Sequence, residues 1–189
     1  MLRLFWVVNL AADVKQAIGR FQGELKNLKS NAKWVEQENL HLTVKFLGDV
    51  KSGLVPGVVM AVRSALAGER PFDLHLTGCG SFGKPLRVLW VGVRGETRQF
   101  TGLVRRVEEG LTPLGFVSEN GKTTPHLTIA RLCSPDGAGP LLERIATAAT
   151  QGLQFGVLTV DRIDLMQSTL SRSGPQYTVL ESVRLSLDH

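Results

Sequence analysis

The chain has 189 residues, 43% hydrophobic and 21% charged, enough apolar content to close one ordinary domain core and too much for a disordered chain. Its 22 Lys and Arg against 17 Asp and Glu leave a net charge of +5, which favours anionic partners such as nucleic acid. Cys79 and Cys133 have no zinc-ligand or redox spacing and read as buried, reduced thiols of a cytoplasmic protein, while the apolar opening, broken by Arg3, is too short to span a membrane.

Residues 2–10 are rich in strand formers and predict a central strand. Asp13 is placed to cap a helix in which Val14, Ala17, Ile18, Phe21, Leu25 and Leu28 recur at helical spacing. Residues 39–47 alternate: Leu40, Leu42, Val44 and Phe46 face a core, His41, Thr43 and Lys45 the other side, and Gly48-Asp49 ends the strand. A helix over 54–66, stopped by Gly68, precedes a strand over 72–76, a glycine-rich loop at 78–83 and a partner strand over 86–93. Phe100, Leu103, Val104, Val107 and Leu111 form one stripe of a helix over 97–111. A polar loop at 118–125 leads to a strand over 126–130. A helix over 141–149 follows, then strands over 154–165 and 176–187 joined by a turn at 171–175. Paired strands beside pairs of helices, without regular β-α-β alternation, predict an α+β fold with mostly antiparallel sheets. The order reads as one unit used twice, with no linker between the copies.

Two motifs carry the chemistry. His41-Leu42-Thr43 and His126-Leu127-Thr128 stand 85 residues apart, each on an alternating strand, so each offers an imidazole and a hydroxyl on one face. Both protonation states of histidine are accessible near neutral pH, and two imidazoles can divide proton donation and removal at one phosphorus. The threonine hydroxyls suit the non-bridging oxygens, where charge gathers. Lys45 and Arg131 are nearby cations. Arg131 falls one step off the alternation of His126 and Thr128, so it needs a strand end or a bulge to join them. A third such motif, His75-Leu76-Thr77, leaves the active pair open from pattern alone.

The residues around the first and last motifs are more specific. Trp34 to Gly48, WVEQENLHLTVKFLG, resembles the first signature of the bacterial and archaeal RNA 2′,3′-cyclic phosphodiesterases, first described as 2′-5′ RNA ligases, of the 2H phosphoesterase superfamily. Pro125 to Arg131, PHLTIAR, resembles the second. Arg3-Leu4-Phe5, the stretch from Phe82-Gly83 to Leu89-Trp90, and the end from Leu165 and Ser168 to Tyr177 are weaker matches. Val44 stands where leucine is frequent, and Asn9 to Asp13 replace an acidic or proline-containing turn.

The resemblance implies a bilobal, pseudo-twofold fold of two mainly antiparallel sheets with flanking helices, residues 1–189 forming a single domain of two interlocked lobes around a cleft. It implies opening of 2′,3′-cyclic phosphates at RNA ends, tRNA fragments among them, to leave 2′-phosphates, without metal or other cofactor, and the reverse 2′-5′ joining. By the same resemblance His41 is the general acid toward O3′, His126 the general base toward water, and Thr43, Thr128 and Arg131 bind phosphate. His75 then reads as an ordinary strand residue. A monomer without membrane attachment is expected.

Phe82, Trp34, Trp90 and Tyr177 are candidates to stack on a base, Phe82 foremost, whereas Trp6 and Phe46 read as core. Lys45, Lys84, Arg87, Arg94 and Lys122 are candidate backbone contacts, and His189 reads as a disordered end. Neither the glycines at 78–83 nor Asp73, Asp161 and Asp164 form a nucleotide loop or a metal site. A related cyclic-nucleotide or 2′-5′ oligonucleotide phosphodiesterase and a non-catalytic RNA- or nucleotide-binding module are the competing readings.

Overall fold

A computed structural model describes residues 1–28, 30–118, 124–134, 136–172 and 174–186. The expectations for Lys122, for the rest of 119–123 and for His189 lie outside the described residues. In chain order the elements are β1 (Leu2–Asn9), α1 (Ala12–Lys26), β2 (Ala32–Trp34), a 3-10 turn (Gln37–Asn39), β3 (His41–Val50), α2 (Val55–Ala65), β4 (Phe72–Phe82) and β5 (Val88–Gly95). Then come α3 (Thr97–Leu111), β6 (His126–Leu132), α4 (Gly139–Thr150), β7 (Gln154–Val160), β8 (Arg162–Ser171) and β9 (Gly174–Arg184). They build two antiparallel sheets, ordered β3-β1-β8-β9 and β2-β6-β5-β4-β7, the bilobal α+β architecture expected.

Each sheet buries one face under helices. Leu4, Trp6 and Val8 of β1 enter the main core, while Phe5 and Val7 on the opposite face join Met166 and Tyr177 in a smaller cluster. That second apolar face explains why β1 is apolar almost without alternation. The stripes on α2 (Val58, Val62) and α3 (Leu103, Val107) back the first sheet, and α1 and α4 back the second. Ile18, Phe21 and Leu25 of α1 are all buried, each contributing about 1.5–3 kcal/mol relative to exposure. The halves are exchanged in part: α1 follows β1 of the first sheet but packs on β7 of the second, and β2 pairs with β6.

Both His-x-Thr strands carry a bulge at the same place. Val7 faces Thr43 but Trp6 faces Lys45, which makes Val44 the extra residue. Trp90 faces Thr128 but Leu89 faces Ala130, which makes Ile129 the extra residue. An extra residue reverses the alternation beyond it. Lys45 therefore shares the core face with Trp6 and is 5% exposed, while Phe46 emerges beside His41 and Thr43 at 58% exposure, the reverse of the expected placement. In the second copy the same reversal buries Ala130 and brings Arg131 onto the face of His126 and Thr128. This is the bulge that its sequence position requires.

Several boundaries differ from expectation. β4 runs through the expected glycine-rich loop, because Gly80 lies under the Trp90 ring, where a Cβ would clash, and Gly78 takes φ 66. The expected strand over 154–165 is two strands in different sheets, parted at Asp161. Gly48, with φ 70, sits at a register shift inside β3 rather than ending it. Asp13 lies in the first turn of α1, where its charge suits the helix dipole, but makes no cap bond, the N-cap being Ala11. Cys79 is buried, its thiol donating to the Ile145 carbonyl at 3.3 Å and its pKa pushed up to about 11 by burial. Cys133, expected inside, is exposed. No helix among the described residues is long and apolar enough to cross a membrane.

Candidate active site

A cleft of about 270 Å³ opens where β3 and β6 come together, lined by His41, Thr43, His126, Thr128, Arg131 and Tyr177 among others. Both motifs thus reach one space. His75 does not: it is exposed on β4, with Arg94 and Val157 as its cross-strand neighbours.

Each histidine is oriented by the same local device. His41 Nδ1 lies 2.7 Å from the Asn39 carbonyl, and His126 Nδ1 lies 3.0 Å from the Thr124 carbonyl, in each case two residues earlier. A carbonyl only accepts, so these bonds require the proton on Nδ1 and leave Nε2 to exchange protons with a ligand. The Asn39 side chain has a second task. Its Nδ2 donates to the Pro175 carbonyl at 2.9 Å, which ties the β8–β9 hairpin, and with it Tyr177, to the His41 wall.

The two rings differ in surroundings. His41 sits between Phe5 (ring centroids 5.3 Å apart) and the edge-on Tyr177 (5.6 Å). Burial lowers its pKa from the ordinary 6.5; the Asn39 carbonyl opposes this and the Lys15 charge adds to it. Lys15 stands close by, its Nζ donating to the Glu38 carbonyl at 2.6 Å. His126 is packed edge-to-face by Phe82 at 5.0 Å and 89°, so Phe82, at the end of β4, flanks the second imidazole with 44% of its surface exposed.

Lys45 is no open cation. Its ammonium donates to Glu108 of α3 at 2.8 Å and to the Val117 carbonyl at 2.9 Å, and the Ser118 hydroxyl donates to the other Glu108 oxygen at 2.7 Å. Trp34 is half-buried against the core with the Lys26 ammonium over its ring, and Trp90 lies over Gly80. Lys84 and Arg87 flank the β4–β5 turn and Arg94 lies beside His75, away from the cleft lining. Among the described residues no three His, Cys, Asp or Glu side chains cluster as metal ligands. Asn39, Phe46 and Glu108 are cleft residues that pattern reasoning misses. The available signal is their place in or near the first signature for the first two; nothing local marks Glu108.

The cleft gathers two histidines, two threonines and an arginine in its lining, the residue types needed to activate a nucleophile, protonate a leaving oxygen and hold an anion. A model of the 2′-5′ RNA ligase superfamily matches residues 11–172. The chain is 35% identical over 186 residues to the RNA 2′,3′-cyclic phosphodiesterase of Methanothermobacter thermautotrophicus, covering 97% of this chain and 99% of the relative. It is 32% identical over 190 residues to that of Aquifex aeolicus, covering 98% of each. The Thermus thermophilus protein TT0787 superposes over 100% of both chains with a TM-score of 0.81 at 27% identity. Escherichia coli LigT complexed with 3′-AMP gives 0.80 at 24% identity over 98% of each chain, a likeness of fold.

Proposed function

The chain belongs to the 2′-5′ RNA ligase superfamily and has that family's phosphodiesterase activity on RNA 2′,3′-cyclic phosphate ends; we propose that His41 and His126 perform it as a proton-transfer pair. The observation that carries this is the shared cleft in which both imidazoles are locked at Nδ1 by a carbonyl two residues back. His126 Nε2 takes a proton from water as the water oxygen attacks phosphorus. His41 Nε2 gives a proton to O3′ as the P–O3′ bond breaks, leaving a 2′-phosphate. The Thr43 and Thr128 hydroxyls and the Arg131 guanidinium hold the non-bridging oxygens as charge builds on them. Run backwards, with a 5′-hydroxyl end in place of water, the same transfers make a 2′-5′ linkage. One chain supplies both histidines, so a monomer suffices. RNA fragments with cyclic ends, cleaved tRNA among them, are the substrates this chemistry calls for, and the cytoplasm is where it would meet them.

His41→Ala or His126→Ala is expected to cut kcat on a nucleoside 2′,3′-cyclic phosphate by roughly 10²–10⁴-fold with circular dichroism unchanged; full activity in either variant would falsify the mechanism. Chelation by EDTA is expected to leave the rate unchanged.

Burial of His41 favours its neutral form in the empty cleft, which supports a second reading with the two roles exchanged. The negative charge of a bound phosphate opposes that effect. A substrate with sulfur in place of O3′ separates the readings, because a thiolate, whose conjugate acid has a pKa near ~8.5, leaves without protonation. Under the first reading the sulfur substrate rescues His41→Ala and not His126→Ala. The opposite pattern assigns the acid to His126.

A further inference from the structure

Beyond the catalytic groups, the mouth of the cleft carries cations that the described residues leave without counter-charges. Lys33 stands directly opposite Arg131 in the β2–β6 ladder, and both are exposed. Like charges side by side on neighbouring strands cost stability, and no carboxylate among the described residues forms an ion pair with either. Lys33 is not in the cleft lining itself; its cross-strand neighbour Arg131 is, which sets Lys33 at the rim.

The opposite rim has a matching row. Arg3, Ser168 and Tyr177 are successive cross-strand neighbours on β1, β8 and β9, so they share one face. Asp49 stands opposite Arg3 on β3, yet no ion pair joins them. Tyr177 lines the cleft beside His41, and its phenol lies within the fields of both Arg131 and Arg3, which draw its pKa down against the upward push of burial. The guanidinium of one rim and the phenol of the other thus face the same space.

We propose that Lys33 on one rim, with Arg3 and the Tyr177 hydroxyl on the other, forms a second anion subsite that holds the phosphate on O5′ of the terminal nucleotide, next to the Arg131 guanidinium, which stays on the reacting phosphate. The subsite rests on the phosphodiesterase reading above and deepens it. The cyclic phosphate reacts between the histidines, and the phosphate one step upstream lies against the cationic mouth. An RNA end is then recognised by two phosphates at once, which separates it from a free nucleoside cyclic phosphate. Guanidinium groups pair with phosphate oxygens through two parallel donors, and the phenol adds a third.

Three substrates test this: a nucleoside 2′,3′-cyclic phosphate, the same compound with a 5′-phosphate, and a dinucleotide ending in the cyclic phosphate. The two that carry a phosphate on O5′ are expected to exceed the first in kcat/KM by about tenfold or more. Arg3→Gln and Lys33→Gln should each remove most of that advantage while leaving the nucleoside cyclic phosphate unchanged. Each should also weaken the fall of kcat/KM with added salt on the dinucleotide. Equal kcat/KM on all three substrates, or an equal loss on all three in the variants, overturns the subsite and leaves the phosphodiesterase intact. A gain confined to the dinucleotide also overturns it, since the upstream nucleoside would then be the group recognised. Turnover of none of the three overturns the phosphodiesterase reading itself, and the subsite with it.

Discussion

Phe46 presents 58% of its surface to solvent at the cleft, its ring stacked 5.8 Å from Phe5. A large apolar ring held open beside a histidine and a threonine suits the face of a nucleobase, a contact worth about 1–3 kcal/mol per base. Phe46→Ala is expected to raise KM for nucleoside 2′,3′-cyclic phosphates about tenfold or more with little change in kcat, and to leave a base-free cyclic ribose phosphate unaffected. His41 makes a second prediction at this scale. Its pKa is lowered mainly by burial, so the limb of the kcat/KM–pH profile that it controls lies below the ordinary imidazole value. Tyr177→Ala, which opens the ring to water, should move that limb upward. The same shift links to stability. The folded pKa lies below the unfolded one, so the unfolded chain binds the proton more readily; the contribution is present above about pH 6.5 and lost as pH falls through the lowered value. Comparing urea unfolding of the wild type and His41→Asn across that window isolates it. That His41, Thr43, His126 and Thr128 are the pairs to expect in one cleft is legible in the sequence because long signatures surround them. Of the aromatic walls, Phe82 and Tyr177 stand out in the sequence as candidates to stack on a base, whereas Phe5 does not, since nothing in its own strand shows that it packs against His41.

At the scale of elements, the paired bulges decide what each strand shows the cleft. Strand alternation was readable from His41 through Val44 and failed at Lys45, because a bulge depends on the partner strand's register rather than on local composition. The strand over 154–165 fails for a related reason: Asp161 divides it between two sheets, and neither sheet is visible from the segment itself. The reversal after Val44 also creates the Lys45–Glu108 pair, with side-chain exposures of 4% and 12%. Through Val117 and Ser118 that pair fastens the start of the segment leading to His126. Glu108→Ala removes the carboxylate that accepts from both Lys45 and Ser118, and should cost up to about 3–5 kcal/mol, measured by denaturant unfolding. Lys45→Met with Glu108→Gln should regain most of it. Equal losses in the single and double variants would show that packing, not charge, holds this wall.

Across the whole molecule, one contiguous set of buried residues runs from Leu4 to Leu185 and draws on both sheets. We infer that residues 1–189 unfold as one unit, and that cutting the chain after α3 should leave neither fragment with native circular dichroism alone. Two independent transitions in calorimetry would refute this. The α+β class and the antiparallel habit were legible in the order of strands and helices. The exchange of α1 and β2 between the halves was not, since amphipathic periodicity tells a helix which face to bury and never against which sheet.

That exchange has a consequence for synthesis. The apolar stripe of α1 is complete once Lys26 has been made, but its partner β7 begins at Gln154. At the usual elongation rate of about 5–20 residues per second, the stripe waits roughly 6–25 s for its cover. During that interval the nascent chain carries an open greasy helix, a natural client for a ribosome-bound holdase. Yield in a host lacking such factors should therefore fall more steeply with temperature than the stability of the finished protein does.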